Sequence, residues 1–562
     1  MEKALKMGQA SATGSIQLFI GKTVSTVILA VGTIILGIFI LEGDYGLYAI
    51  ALIPATTILL FQDWGVGAAM TRQCAQCRAA NKEGELRKII VAGLTFEVAT
   101  GLVLTVFSLL MANFIASTIF GKPESSFLVT LASITILSAS IFATTQNVFI
   151  GFEQIKLLSL MMICQAVVQS TFSPLLVYMG YGALGAVLGY TLALVVTSII
   201  SVVLLYFAIF RELGRSTTNK FDISRTLKPL LRYGIPLAIA SILGGILTQF
   251  YSFMMASLVD VAMIGNYRIA TNFSVLLTFF TIPISTVLFP AFSKLDPRNE
   301  QQLLKTVFTS SVKYTALFLV PATMAMMVLS KPMIGTLYGD KWLYAPPFLA
   351  LYIIGNLFAI FGNLSMGSLL AALGETKMLM KLNILTLAIG IPIAFLLIPQ
   401  FGILGVIIVG LVAGLPSLFI GLYWAWKHYG TKVDLQASTK ILLASTIAAA
   451  TAYIFLTFFN AAEWIRLVTG GITFLAIYLT ATPLIGAINQ TDVNKLRAMF
   501  SSLGIIAKLL EIPLTIVEKL LKTRTTNSSI TTTNNKKQPK TTKSYQIQNT
   551  TTTHTRKQAQ ST

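Results

Sequence analysis

Long apolar stretches recur along most of this chain, and they restrict the folds available to it. A helix of about 20 apolar residues spans the hydrocarbon core of a bilayer, because it satisfies its backbone hydrogen bonds internally. Only 11% of the 562 residues are charged, whereas about a quarter are charged in a typical soluble domain. The pattern predicts an all-α polytopic membrane protein with about 14 transmembrane helices. These lie near 15–41, 45–63, 89–117, 127–150, 157–178, 183–210, 233–258, 262–290, 306–330, 346–371, 378–398, 403–426, 439–459 and 464–488.

The distribution of basic residues predicts which side of the membrane each loop faces. Lys and Arg are concentrated in cytoplasmic loops. With the N terminus inside, the cytoplasmic loops carry most of them, as in 72–88 and 211–232. The opposite loops carry Lys122, Lys331, Lys341 and Arg466. We therefore expect a multi-pass protein of the plasma membrane with both termini in the cytoplasm. The formal charge of +20 then reflects topology and attraction to anionic lipid, not binding of nucleic acid.

Two segments of the chain match one another at a constant offset. EGDYGLYAIA at 42–51 and VAMIGNYRIATN at 261–272 share four residues at an offset of 219: Gly46 and Gly265, Tyr48 and Tyr267, Ile50 and Ile269, Ala51 and Ala270. A second match, offset by 220, joins YGALGAVLGY from 181 to FGILGVIIVG from 401. Six predicted helices separate the copies, so both halves cross the membrane in the same direction. The repeat predicts two six-helix bundles around a central cleft, related by an axis along the membrane normal.

The repeat and the composition together predict the organisation of the chain. The predicted segments are an N-terminal six-helix bundle (1–210), a cytoplasmic linker with a short surface helix (211–232), a C-terminal six-helix bundle (233–427) and two additional transmembrane helices (438–488). After them, 490–522 is predicted to be an amphipathic segment on the inner leaflet, broken at Pro513, with Leu496, Met499, Phe500, Leu503, Ile506 and Leu510 on its apolar face. The polar, low-complexity residues 523–562 predict a disordered cytoplasmic tail.

Arg268 is the most informative ionisable residue inside a predicted helix. A charge at the centre of a membrane helix costs roughly 2.5–3.5 kcal/mol on insertion scales, so such residues usually face a wet interior and have a function. Arg268 lies in the outer half of helix eight, and the only acidic residue near it in sequence is Asp260. In the earlier copy of the repeat, Ala49 holds the same position. We therefore expect Arg268 to line the cleft and bind substrate.

The other candidate residues each have a second interpretation. Lys22 and Lys313 are predicted to bind substrate, but both lie close enough to the inner surface to anchor there or to pair with Glu97. Gln249 and Asn272 can hydrogen-bond sugar hydroxyls or hold helices together. Glu97 and Asp63 are candidates for binding a coupling ion, although Asp63 can also cap a helix or pair with Arg72.

The sequence offers no site for a metal or another cofactor. Cys74 and Cys77 form a CxxC pair, but no second pair of ligands completes a zinc site. GSIQLFIGKT resembles a phosphate-binding loop, yet six residues separate its glycines where the motif requires four. The two histidines, His428 and His554, lie in a predicted loop and in the tail. We therefore expect a transporter without a cofactor, and not an enzyme.

Two stretches resemble a known family. GSIQLFIGKTVSTVILAVGTIILGIFILEGDYGLYAIALIPATTILLFQDWGVGAAMTR and LLRYGIPLAIASILGGILTQF are similar to polysaccharide-biosynthesis or oligosaccharide flippases, the Wzx-like members of the multidrug/oligosaccharidyl-lipid/polysaccharide exporter superfamily. The resemblance covers roughly residues 10–490. It implies a V-shaped cleft between two six-helix bundles and transport of lipid-linked sugars. Related lipid flippases carry basic residues on helices one, two and eight of the cleft. Lys22 and Arg268 match the first and third, and helix two has no basic residue.

The expected function is to flip an isoprenoid-diphosphate-linked oligosaccharide from the cytoplasmic to the external leaflet by alternating access. Membrane lipids and glycan-assembly enzymes are the expected partners, and a monomer is the expected working unit. One alternative is a cation-coupled multidrug exporter of the same superfamily, for which an acidic cleft would be expected. Another is an integral-membrane glycan ligase or polymerase, for which the largest outer loop, about 331–345, is short.

Overall fold

The computed structural model describes residues 2–80, 82–213, 222–500 and 511–522, and these contain no β-strand. The helices of the first half are α1 (Glu2–Phe39), α2 (Glu42–Leu59), α3 (Val66–Ala79), α4 (Glu83–Phe114), α5 (Ser126–Gly151), α6 (Ile155–Leu176) and α7 (Gly182–Leu205). Those of the second half are α8 (Ile223–Leu258), α9 (Val261–Ser293), α10 (Gln301–Tyr338), α11 (Ala345–Tyr352), α12 (Asn363–Ala372), α13 (Thr376–Phe401), α14 (Ile403–Val412) and α15 (Leu415–Tyr429). They are followed by α16 (Leu435–Phe458), α17 (Glu463–Ile485), α18 (Gln490–Phe500) and α19 (511–522). The predicted all-α class is confirmed.

The number of membrane spans depends on how broken helices are counted. Ten helical stretches among the described residues are long and apolar enough to cross a bilayer, or eleven if the pair Ala345–Phe361 and Asn363–Ala372, bent by 60°, is one span. One of the ten, Ile155–Phe210, contains both α6 and α7. The chain reverses between these two helices at Gly180 and Gly182, whose φ angles are +93° and +48°. A multi-pass membrane protein is therefore confirmed, and the total of 14 spans stays a prediction.

The second sequence match encodes the same helical hairpin in both halves. Gly182 is the first residue of α7 and has a φ angle of +48°, and Gly402 directly precedes α14 and has a φ angle of +55°. Glycine adopts such positive φ angles without steric cost. Three residues later, a Cβ on Gly185 would lie 2.8 Å from the backbone of α6, and one on Gly405 would lie 2.4 Å from the backbone of α13. Both pairs of glycines let a helix fold back closely on the helix before it. The predicted two bundles thus share their local construction.

The first helix of each half is fixed to its own bundle. α1 packs along α6, and its counterpart α8 packs along α13. On α6, the hydroxyls of Ser159 and Ser170 donate to backbone carbonyls of α1 at 3.2 and 2.9 Å. They lie opposite Gly21 and Gly32, so small residues form this interface, as is typical of closely packed membrane helices.

The second half begins earlier than its predicted boundary at 233. α8 starts at Ile223, where the Asp222 carboxylate accepts a hydrogen bond from the backbone N–H of Arg225 at 3.3 Å. The segment predicted as a linker therefore supplies the first turns of a helix that continues through Pro229 and Pro236. Residues 214–221, also in the predicted linker, lie outside the described residues.

The described residues form two compact units, which divide between Tyr478 and Leu479. In the second unit, the Arg497 guanidinium of α18 donates to Glu511 and Glu518 of α19, each at 2.9 Å. Val493 and Leu496 are buried there, and Pro513 lies in the first turn of α19. The predicted apolar residues Leu503, Ile506 and Leu510, and the predicted tail from 523, lie outside the described residues.

Candidate functional site

The two glycines that begin the repeated motif lie where the halves touch. A Cβ on Gly46 of α2 would lie 1.9 Å from the carbonyl oxygen of Val261, and a Cβ on Gly265 of α9 would lie 2.2 Å from the carbonyl oxygen of Glu42. Glu42 and Val261 are themselves 219 positions apart, so the contact between α2 and α9 is reciprocal. Beside it, Asn266 Nδ2 donates to Glu42 Oε2 at 3.0 Å. We call this the outer end, because the charge distribution predicts that its loops face outside.

The halves also touch at the opposite, inner end. Gly65, in the FQDWG turn, has φ +76°, and a Cβ there would lie 2.1 Å from the carbonyl oxygen of Gly234. The Arg72 guanidinium lies over the ring of Tyr233, 4.6 Å from its centroid. Gly234 and Tyr233 belong to the RYGIP stretch. The FQDWG and RYGIP segments therefore contact one another across the two halves.

Between these two contacts lies a cavity of about 420 Å³. Its walls come from α1, α2, α6 and α7 of the first half, and from α8, α9 and α11 of the second half. Of the substrate-binding residues predicted from the sequence, Arg268, Gln249 and Asn272 line this cavity. Ala49, the repeat counterpart of Arg268, lines it as well. The central cleft expected from the repeat is therefore present.

Arg268 is exposed to the cavity and has no ion-pair partner among the described residues. Asp260 does not neutralise it, since that carboxylate caps α9 by accepting from the backbone N–H groups of Ala262 and Met263 at 2.9 and 3.3 Å. Arg268 is also the sole charged residue among the described residues that line the cavity. The site therefore carries one positive charge that is free to meet an anion.

Tyrosines surround Arg268, and sequence reasoning missed them. Tyr45, Tyr48, Tyr190, Tyr267 and Tyr352 all line the cavity. The phenol groups of the first four lie near the guanidinium of Arg268. A signal was available in the sequence, because Tyr48 and Tyr267 are equivalent positions of the repeat. The cavity thus combines one cation with aromatic faces and phenol hydroxyls.

Gln249 and Asn272 line the cavity and also join the two halves. Asn272 Nδ2 donates to the hydroxyl of Tyr45 at 2.7 Å. Gln249 Oε1 accepts from the hydroxyl of Thr57 at 3.1 Å. The predicted role of holding helices together therefore matches these contacts, and hydrogen bonding to sugar hydroxyls stays a prediction.

The two predicted lysines lie away from this cavity. Lys22 is exposed on α1. It precedes the lining residues Leu29 and Thr33 by seven and eleven positions, so it lies on the same face of the helix. At the rise of an α-helix, Lys22 is about 10 Å nearer the inner end than Leu29. Lys313 is half-buried in α10. Neither is among the described residues that line the cavity, and their substrate-binding role stays a prediction.

The two predicted coupling-ion residues lie together, behind the inner contact. Glu97 is buried in α4 and accepts a hydrogen bond from Gln62 Nε2, while its Oε1 has no hydrogen-bond partner. Asp63 Oδ1 accepts from the backbone N–H of Gly67 at 3.1 Å, which caps the start of α3. The capping role expected for Asp63 is therefore present, Gln62 is a hydrogen-bond partner of Glu97, and the ion-binding role of the two carboxylates stays a prediction.

Two further cavities adjoin the first. One, of about 450 Å³, extends into the second half, where Tyr251, Asn356 and Thr386 line it. The other, of about 400 Å³, lies between α1 and the helices α9 and α10, and most of its described lining residues are apolar. Leu29, Asn272 and neighbouring residues line both this apolar cavity and the first. A cavity of mixed polar and apolar lining and a mostly apolar cavity therefore share walls with the cavity that contains Arg268.

Comparison with known proteins identifies the family. Residues 35–347 match the family described as polysaccharide biosynthesis protein. The chain belongs to that family. The resemblance to Wzx-like flippases that we inferred from the sequence is confirmed at this level.

Two relatives illustrate the membership. The chain is 21% identical to the probable low-salt glycan biosynthesis flippase Agl15 of Haloferax volcanii, over 50% of this chain and 59% of that protein. It is 29% identical to the lipopolysaccharide biosynthesis protein WzxC of Escherichia coli, over 42% of this chain and 44% of that protein. The matches thus span about half the length of these relatives. The first of these relatives is named as a flippase and the second as a lipopolysaccharide biosynthesis protein.

Two solved structures show the fold. The lipid II flippase MurJ, in an inward closed conformation, matches with a TM-score of 0.67 and 16% identity over 84% of this chain and 98% of that chain. An inward-facing multidrug resistance transporter of the MATE family and MOP superfamily matches with a TM-score of 0.56 and 18% identity over 74% of this chain and 98% of that chain. The fold of this chain is therefore the one that these two structures share.

Proposed function

We propose that this protein flips a lipid-linked oligosaccharide with a diphosphate head group across the membrane, by alternating access to the cavity between its halves. The observation that carries the proposal is the unpaired Arg268 among tyrosines. A guanidinium offers a fork of donors that matches phosphate oxygens, and such charge-assisted hydrogen bonds are strong. Aromatic rings and hydroxyls nearby suit the faces and edges of sugars.

The neighbouring cavities fit the other parts of such a substrate. The second cavity, which Tyr251, Asn356 and Thr386 help to line, offers hydroxyl and amide groups to a glycan. The mostly apolar cavity between α1 and the helices α9 and α10 suits an isoprenoid chain, which would stay in contact with lipid while the head group enters. Agl15 and WzxC carry names from glycan and lipopolysaccharide biosynthesis, and this supports the assignment of the substrate class.

A multidrug exporter is the second candidate, because a transporter of that kind shares the fold. Such a protein would bind cationic drugs, for which acidic residues in the cavity are favourable. Among the described residues lining the three cavities, Arg268 carries the only charge, and it is positive. The electrostatics therefore favour an anionic substrate. A ligase or polymerase is disfavoured by the names of the relatives and by the short outer loops.

The test is flipping of a lipid-linked oligosaccharide in reconstituted vesicles. Arg268→Ala should reduce the rate roughly 30-fold, because it removes hydrogen bonds from a charged donor that are worth about 1.5–3 kcal/mol. Arg268→Lys keeps the charge but loses the fork and should fall roughly tenfold. Ala49→Arg should not restore the Arg268→Ala variant, if the two walls have distinct roles.

Arg298→Ala is the matched control, because it removes an exposed arginine from the loop between α9 and α10. It should flip at the wild-type rate. Full activity of Arg268→Ala would exclude the phosphate-binding role. A variant that fails to accumulate in the membrane would instead indicate that Arg268 stabilises the fold.

A further inference from the structure

Lys122 of the first half binds the end of the first helix of the second half. It lies between α4 and α5, and its Nζ donates to the carbonyl oxygens of Ala256 and Val259, the latter at 2.9 Å. These carbonyls lie at the C terminus of α8, which ends at Leu258. The last carbonyls of a helix have no partner within the helix, and a cation there is favoured by the helix dipole.

Lys341 of the second half makes the same contact in the opposite direction. It lies between α10 and α11, and its Nζ donates to the carbonyl oxygen of Ile38 at 2.9 Å and to that of Gly37 at 3.4 Å. These carbonyls end α1, the first helix of the first half. The neighbouring Trp342, which is 1% exposed, donates from Nε1 to the carbonyl oxygen of Gly37 at 3.2 Å.

The two lysines are equivalent positions of the internal repeat. Lys122 and Lys341 are 219 positions apart, the offset that also relates Gly46 to Gly265. The two glycines bring α2 and α9 together at the outer end, and the two lysines cap α8 and α1 at the same end. Each half therefore contributes one ammonium group that caps the C terminus of the first helix of the other half.

These contacts depend on the conformation, because donor and acceptor belong to different halves. Opening the outer end would separate each ammonium from its carbonyls, leaving the helix ends without these donors. Since both contacts span the same gap, they would break together. Ordinary surface lysines at a membrane interface would point to water or lipid phosphate and would not repeat this reciprocal pattern.

We propose that Lys122 and Lys341 form a reciprocal latch that holds the outer end closed. The latch rests on the proposed alternating access, since it has a function only if the outer end opens during transport. Its role is to keep the cavity sealed on one side until substrate binding and the movement of the halves release both ammonium groups.

The latch can be tested by measuring access to the cavity from the outer side. Ala49 lines the cavity, so we place a reporter cysteine there, in a chain whose three native cysteines are replaced by serine. A membrane-impermeant thiol reagent is added in turn to each face of sealed vesicles without substrate. Leu343→Cys, at a side chain that is 69% exposed, identifies the face that corresponds to the outer end.

From that face, Lys122→Met or Lys341→Met should raise the labelling rate of the reporter roughly tenfold, and the double variant roughly 100-fold. Methionine keeps an unbranched stem and removes the donors. Lys122→Arg, which retains them, should stay within a few-fold of wild type. Lys331→Met is the matched control, because it removes an exposed lysine from α10, and it should leave the rate unchanged.

An unchanged rate in the double variant would overturn the latch. An equal rise in Lys331→Met would also overturn it, because loss of positive charge would then explain the effect. Labelling is measured without substrate, so a protein that shows the predicted rates but flips no lipid-linked sugar would count against the proposed function and not against the latch.

Discussion

Ala49 and Arg268 occupy equivalent positions of the repeat, and both line the cavity. The adjacent tyrosines, Tyr48 and Tyr267, are shared by the two copies. The α2 side and the α9 side of the cavity therefore carry the same tyrosine, but only the α9 side carries a positive charge. An anion between them would be held from one side only, which permits release when the halves move apart.

The buried Glu97 allows a prediction about energy coupling. Its Oε1 has no hydrogen-bond partner and its side chain is buried, so a coupling proton or cation has a carboxylate oxygen available. We expect Glu97→Gln to keep the hydrogen bond with Gln62, to fold normally and to lose any dependence of flipping on an imposed pH or sodium gradient. The measurement is flipping in vesicles with and without each gradient.

Glu83→Gln is a matched control, because it neutralises an exposed carboxylate at the start of the same helix, α4. It should leave the gradient dependence intact. If Glu97→Gln keeps the wild-type response to both gradients, Glu97 is a structural residue and the energy source lies elsewhere.

The helices α2 and α9 cross at a pair of equivalent glycines, and this crossing sets how closely the outer end can close. The backbone carbonyl of the opposite helix occupies the place of a side chain at both Gly46 and Gly265. An interior glycine usually costs a helix roughly 0.5–1 kcal/mol relative to alanine. Its presence at both positions is explained by the contact between the halves and not by the helices themselves.

We therefore predict that Gly46→Ala or Gly265→Ala keeps the outer end from closing. The added methyl would lie 1.9 or 2.2 Å from a carbonyl oxygen, and overpacking of this kind costs about 1–3 kcal/mol. Flipping should fall at least roughly tenfold, while labelling of the Ala49 reporter from the outer side rises. Gly43→Ala, in the same turn of α2 with open space around its Cβ, should behave as wild type.

The sequence predicted the elements better than their contacts. The offset of 219 positions was sufficient to predict two bundles and a cleft. The free-energy cost of burying a charged side chain in a membrane helix was sufficient to place Arg268 in that cleft. Lys122 and Lys341 stood out in the sequence only as basic residues in loops predicted to face outside. Their contacts could not be predicted, because their acceptors are backbone carbonyls, which have no sequence signal. Likewise, Gly362 has φ +82° between the bent stretches 345–361 and 363–372, a break that hydropathy does not register.

For the whole molecule, the direction of the proposed transport depends on which side of the membrane each loop faces. Basic loops are retained in the cytoplasm, and the loop between α9 and α10 carries Lys294 and Arg298. The loop between α10 and α11 faces the opposite end of the helices. In a chain without native cysteines, we predict that Leu343→Cys reacts with an impermeant thiol reagent added to intact cells, whereas Arg298→Cys reacts only after the membrane is made permeable.

Both side chains are exposed, so a difference in labelling reports the side of the membrane and not burial. Full labelling of both positions in permeabilised cells is the control that each thiol is reactive. Labelling of position 298 in intact cells would reverse the topology. The latch would then lie at the cytoplasmic end, and the same reciprocal contacts would seal the cavity against the compartment in which lipid-linked sugars are assembled.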